Sequence, residues 1–155
     1  ASRLRHQGDP MYRLPWFMIF GETASGKSTA VSHARLKNIL SDAGPVKGIA
    51  STKNCDWWFF ENAIILDTAG RYAVPLADED RGEWERFLVL LAKYRRKEPL
   101  NGLIVTLPAD RLLADDADAM MDYGRSIRLR IDQLMRVLGA KFPVYLLIGY
   151  RAKPF

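Results

Sequence analysis

The chain has one cysteine in 155 residues, Cys55, which excludes an intrachain disulfide and fits a reducing compartment. No stretch approaches the roughly 20 apolar residues of a membrane span, and the N-terminus does not read as a signal peptide. Internal repeats and low-complexity tracts are absent as well. What is present is 48% hydrophobic residues, enough for a single domain with a real core, so a soluble domain is expected. The net charge of +5 reflects 23 basic against 18 acidic residues. Part of the excess lies in Arg3, Arg5 and His6, and part in the cluster Lys93, Arg95, Arg96 and Lys97. That cluster reads as the basic last turn of a helix complementing its dipole, ahead of a membrane or nucleic-acid surface. Arg95, Arg96 and the N-terminal arm are the exposed candidates for docking a partner.

Apolar patterning orders the chain. Residues 1–14 read as a polar, irregular lead-in or remnant, 15–150 as the domain, and 151–155 as a tail. A first strand over Pro15–Phe20 precedes a helix over Lys27–Ser41, which Asp42-Ala43-Gly44-Pro45 ends. A loop over 46–56 follows. Trp57–Phe60 and Ala63–Leu66 flank Glu61-Asn62 as a hairpin, and the four consecutive aromatics read as core rather than as a base-stacking platform. Trp84, Phe87, Leu88, Leu91 and Ala92 recur at helical spacing over Arg81–Arg96. Leu103–Leu107 is a continuous apolar strand closed by Pro108. The longest helix spans Ala114–Leu138 and stops at Gly139; Val144–Ile148 makes the last strand. Strands alternating with helices predict an α/β fold with a largely parallel sheet covered on both faces. The expected architecture is a three-layer α/β/α P-loop NTPase fold, small-GTPase-like, with one antiparallel hairpin strand.

The most informative string is Gly21-Glu22-Thr23-Ala24-Ser25-Gly26-Lys27-Ser28, a complete G-x-x-x-x-G-K-[ST] loop between a strand and a helix. In that context successive main-chain amides converge on phosphate oxygens at the opening of the helix, which Thr29 continues. Gly21 and Gly26 permit the turn and the close approach of anionic oxygens. Lys27 supplies charge to the β- and γ-phosphates and Ser28 a hydroxyl to Mg²⁺. The cofactor expected is therefore Mg²⁺ with ATP or GTP.

Asp67-Thr68-Ala69-Gly70 follows the second hairpin strand directly. A carboxylate there is placed to hold Mg²⁺ through water, and Gly70 leaves an amide open to the γ-phosphate. Between the two motifs a switch segment would present a hydroxyl to the metal; Thr52 is the first candidate and Ser51 the second, alongside their reading as ordinary loop residues. No glutamine follows Gly70 to orient water; Arg71 and Tyr72 stand there. Gly70 and Arg71 are the only catalytic candidates, and Arg71 reads first as an ion-pair partner of Asp78 or Glu79. The last strand does not run into an Asn/Thr-Lys-x-Asp guanine reader, which leaves adenine and guanine both open. Slow or partner-dependent hydrolysis is expected.

Several strings occur together: Arg13-Leu14-Pro15-Trp16, Asn54-Cys55-Asp56-Trp57-Trp58-Phe59, Asp67-Thr68-Ala69-Gly70-Arg71-Tyr72, Asp80-Arg81-Gly82-Glu83-Trp84, Leu100-Asn101-Gly102 and Phe142-Pro143-Val144-Tyr145. Over about Tyr12–Ile148 this series resembles the nucleotide-binding domain of the IcmF/TssM family of bacterial type VI secretion systems. The resemblance implies a domain on the cytoplasmic face of the inner membrane, anchored by segments outside this chain, with no nucleic-acid partner. It implies a TssL-like inner-membrane protein, a TssJ-like lipoprotein met by the periplasmic part, and baseplate components as partners. Nucleotide binding would then regulate assembly or secretion. Two other classes remain open from the residues alone: a stand-alone small GTPase-like switch, and an interaction module with a degenerate nucleotide site.

Overall fold

The computed structural model describes residues 9–22, 26–34, 46–47, 55–68 and 78–149. These form β1 (Trp16–Gly21), α1 (Lys27–Ser32), β2 (Val46–Lys47), β3 (Cys55–Phe59), β4 (Ile64–Thr68), α2 (Asp78–Tyr94), β5 (Gly102–Pro108), α3 (Ala109–Ala114), α4 (Ala117–Leu138) and β6 (Val144–Gly149). The strands make one six-stranded sheet in the order β2-β3-β4-β1-β5-β6. β1 runs parallel to β4 on one side and to β5 on the other, and β6 continues parallel beyond β5. β3 alone opposes its neighbours: it pairs antiparallel with β4 and with β2. The fold is thus α/β with a mostly parallel mixed sheet, as the alternation of apolar runs predicts.

Strand alternation splits the apolar residues of β1 between two cores. Met18 and Phe20 join Leu66, Leu103 and Val105 on one face, where Trp84, Leu88 and Leu91 of α2 and Leu134 and Leu138 of α4 cover them. Ile19 joins Trp58, Phe60 and Ile65 on the other face, beneath Val31 of α1. Burying each such side chain is worth about 1.5–3 kcal/mol, so β1, apolar on both sides, gains most from its place in the middle of a covered sheet. The aromatic run is core as expected: Trp57 meets Trp16 edge-on at 5.3 Å, while Trp58 stacks on Phe60 at 6.0 Å on the opposite face.

The hairpin closes where Glu61-Asn62 predicts, with the Phe60 amide donating to the Ala63 carbonyl at 2.9 Å. Gly139, at φ 63°, ends α4 in the left-handed region. Other boundaries differ from expectation. Val46–Lys47, read as loop, adds a two-residue edge strand opposite Trp57 and Asp56. Pro108 does not simply close β5: it is the N-cap of α3, a helix absent from the sequence reading. α4 consequently starts at Ala117, where the Asp116 carboxylate accepts from the Ala119 amide at 2.8 Å. α1 runs to Ser32 and turns at His33, short of the predicted Ser41; residues 35–45 lie outside the described residues.

Two further expectations are corrected. Arg95, read as exposed, is completely buried. Its guanidinium donates to the carbonyls of Glu98 and Met11, each at 3.0 Å, and to Asn101 Oδ1 at 3.4 Å. It thereby holds a short 3-10 turn at Pro10–Tyr12, within the segment read as irregular, against the sheet. The last strand is not covered on both faces either: all of Val144–Ile148 are 38–61% exposed. Among the described residues no helix is long and apolar enough to cross a membrane.

Candidate functional site

The chain passes from the β4 side of β1 to the β5 side, which makes the carboxyl end of β1 the topological switch point, the place where α/β sheets bind ligands. Two hydroxyls fix this end. Thr68 Oγ1 of β4 donates to the Ile19 carbonyl at 3.0 Å, and Thr106 Oγ1 of β5 donates to the Phe20 carbonyl at 3.4 Å. Each threonine is buried, so the backbone acceptor satisfies a hydroxyl that would otherwise be stranded. β1 therefore delivers Gly21 to a defined point.

From there the loop turns into α1. Gly26 sits at φ 85°, ψ 14°, a left-handed conformation that side-chain-bearing residues disfavour. It caps α1 without any side-chain bond, and its carbonyl accepts the first helical bond, from the Ala30 amide at 2.8 Å. Lys27, the first helical residue, folds back over the loop: its Nζ donates to the carbonyls of Gly21 and Glu22, both at 3.1 Å. Lys27 as a whole is only 7% exposed. Burial pushes its pKa below the ordinary lysine value, and the charge of Asp67 offsets part of that. Asp67 lies at the end of β4, 5% exposed and register-paired with Ile19 of β1. A buried ammonium and a buried carboxylate thus face the same strand end.

The structure accordingly brings together Gly21, Glu22, Gly26, Lys27 and Asp67. Thr29 lies on the first turn of α1 with an exposed side chain, and Ser28 is in the same turn. Thr23, Ala24, Ser25, Ser51, Thr52, Gly70 and Arg71 lie outside the described residues. Among the described residues no cluster of three or more His, Cys, Asp or Glu side chains forms a metal site. Among the described residues, what is offered to a cation here is one carboxylate beside a lysine, a donor set suited to a metal that arrives with its own phosphate oxygens rather than to a resident ion.

Sequence reasoning missed a second layer around the loop. Arg111 of α3 pairs with Glu22 Oε1 at 2.9 Å and with Asp115 Oδ2 at 3.3 Å. Its guanidinium lies 4.3 Å from the ring centre of Tyr123 in α4. The Tyr123 phenol is pushed up to about 12, first by burial, then by the Glu22 charge. Thr106 had a readable signal, a hydroxyl inside an otherwise apolar strand. Arg111 had none, because nothing local marks its partner 89 positions away (111 − 22).

Fold and loop together define an α/β domain with a glycine-lysine loop at the carboxyl end of its central strand. Residues 77–149 match the model of the IcmF-related N-terminal domain. Over 144 residues, 89% of the chain, it is 39% identical to the type VI secretion system component TssM1 of Pseudomonas aeruginosa. The chain belongs to the IcmF/TssM family. It spans 13% of the length of that relative.

Proposed function

We propose that this domain binds a nucleoside triphosphate with Mg²⁺ and hydrolyses it slowly, as the P-loop NTPase domain of a type VI secretion scaffold. One observation carries the reading. Lys27 is buried at the mouth of a loop with a left-handed glycine and fastened to two loop carbonyls, while Asp67 waits on the adjacent parallel strand. Burial disfavours the Lys27 ammonium more than the Asp67 charge favours it, a cost that a polyanionic ligand would offset. Main-chain amides of 21–28 and Lys27 would hold the phosphates; Ser28, Asp67 and Thr52 would hold Mg²⁺, which supplies neutralisation of phosphate charge. The family relation supports a place in the membrane complex at the cytoplasmic face of the inner membrane. TssL-like, TssJ-like and baseplate proteins are then its partners, the lipoprotein through the periplasmic part of the longer protein. That the relative is far longer favours a domain of a scaffold over a stand-alone switch.

The test is a thermal-shift titration with ATP, GTP and their diphosphates, with and without Mg²⁺. Ligand at about 100 times its Kd adds about 2.7 kcal/mol to the folded state, a rise of about 5–10 °C for a domain of this size. Lys27→Ala is expected to remove most of that rise. No rise with any of the four nucleotides sinks the reading.

A further inference from the structure

Glu22 is an awkward residue to find in an anion cradle. It is the second residue of the loop, and an uncompensated carboxylate there repels any polyanion that enters. Its side chain does not stand alone: Arg111 reaches it from α3, which begins directly after β5, the immediate neighbour of β1. The Arg111 guanidinium is itself fixed from three sides, by Glu22 at 2.9 Å, by Asp115 at 3.3 Å and by the Tyr123 ring at 4.3 Å. Both members of the Glu22–Arg111 pair are partly buried, so salt screens the interaction less than at an open surface. We infer that Arg111 is a positioning residue of the phosphate loop: it holds the Glu22 carboxylate on the α3 side and cancels its charge, so that the loop accepts a polyphosphate. This rests on the nucleotide-binding reading above and assigns that site a residue from outside its motif.

The charge count makes the inference testable. Glu22, Asp115 and Arg111 amount to two negative charges and one positive; without Arg111 both negatives remain beside the loop. Arg111→Met is therefore expected to weaken Mg-ATP or Mg-GTP binding, whichever wild type binds, by about tenfold. Glu22→Gln added to Arg111→Met is expected to restore the wild-type Kd, which a purely structural role of Arg111 would not do. Glu22→Gln alone is expected to bind at least as tightly as wild type, and that variant keeps the test alive should Arg111→Met fail to fold. Kd values come from isothermal titration, with melting temperatures of the nucleotide-free variants as the fold control.

Each outcome decides something. Wild type that binds neither nucleotide removes the nucleotide reading itself, and this inference with it. Wild type that binds, with Arg111→Met unchanged or with a loss that Glu22→Gln does not repair, overturns the role of Arg111 alone. A Glu22→Gln single variant that binds more weakly than wild type overturns it too, because Glu22 would then assist the ligand rather than oppose it.

Discussion

The guanidinium of Arg95 lies 4.4 Å over the ring of Trp16, with the Tyr12 ring 5.0 Å away on the same cation. Arg95 is a structural bolt rather than a surface charge: it joins the end of α2 to the 3-10 turn at Pro10–Tyr12 and to Asn101, whose Oδ1 also accepts from the Trp16 amide at 2.8 Å. Arg95→Ala takes the guanidinium donors from the Met11 and Glu98 carbonyls and the cation from the two rings, a loss of about 3 kcal/mol. The melting temperature is expected to fall by about 6–12 °C. Arg95→Lys, which keeps charge but not the planar fork, is expected to fall in between. A drop of under a degree for Arg95→Ala contradicts this account.

Gly102 illustrates a strand glycine that has no alternative. A Cβ there would sit 2.8 Å from two carbons of the Phe17 ring and 3.1 Å from Tyr145. A rigid ring held in the sheet yields poorly, so Gly102→Ala is expected to cost about 1–3 kcal/mol. Combining it with Phe17→Leu, which removes the ring, is expected to recover part of the loss in chemical denaturation.

Binding at the loop is expected to weaken in alkaline solution earlier than an ordinary lysine would dictate. Burial holds Lys27 below the usual lysine value of about 10.4 in the free protein, and a bound polyanion raises it again. Affinity is then constant below the free-protein value and falls above it, by at most about tenfold per pH unit. Stability of the free domain moves the other way. The unfolded chain binds this proton more readily, so the contribution of Lys27 to stability rises with pH between its folded value and about 10.4. Tyr123, pushed up to about 12, stays neutral across this window. Nucleotide Kd measured from pH 7 to 10 checks the claim; a flat profile refutes it.

Cys55 is 4% exposed, and burial, then Asp67 and Asp56, push its thiol well above the usual cysteine range. Thiolate is the reactive form. Aromatic disulfide reagents at pH 8 are therefore expected to label the native domain only at its rate of opening, and to label it at once in denaturant. Stoichiometric labelling within the mixing time of the native protein would contradict this.

What was legible in the sequence was local. The loop motif, the Glu61-Asn62 hairpin and the Gly139 stop each rest on neighbours within a few positions, and each stands where expected. α3 escaped because its six residues carry two leucines that both face outward, so no apolar stripe forms. Pro108, which reads as a terminator, equally suits a helix start. Val46–Lys47 escaped because two residues are too few for alternation to register. Arg95 and Arg111 escaped for another reason: a charged side chain reads as surface until its partners are known, and one decisive partner of each, Met11 for Arg95 and Glu22 for Arg111, lies more than 80 positions away.

The outermost strand carries a final implication. Val144, Leu146 and Ile148 look one way and Tyr145 and Leu147 the other, nearly all at half exposure, while among the described residues the flank away from β5 has no hydrogen-bonded neighbour in the sheet. Greasy on two sides and open along its rim, such a ribbon is adhesive. Isolated at high concentration, the domain is expected to sediment as growing assemblies rather than as one species, and a lysine at position 146 is expected to disperse them.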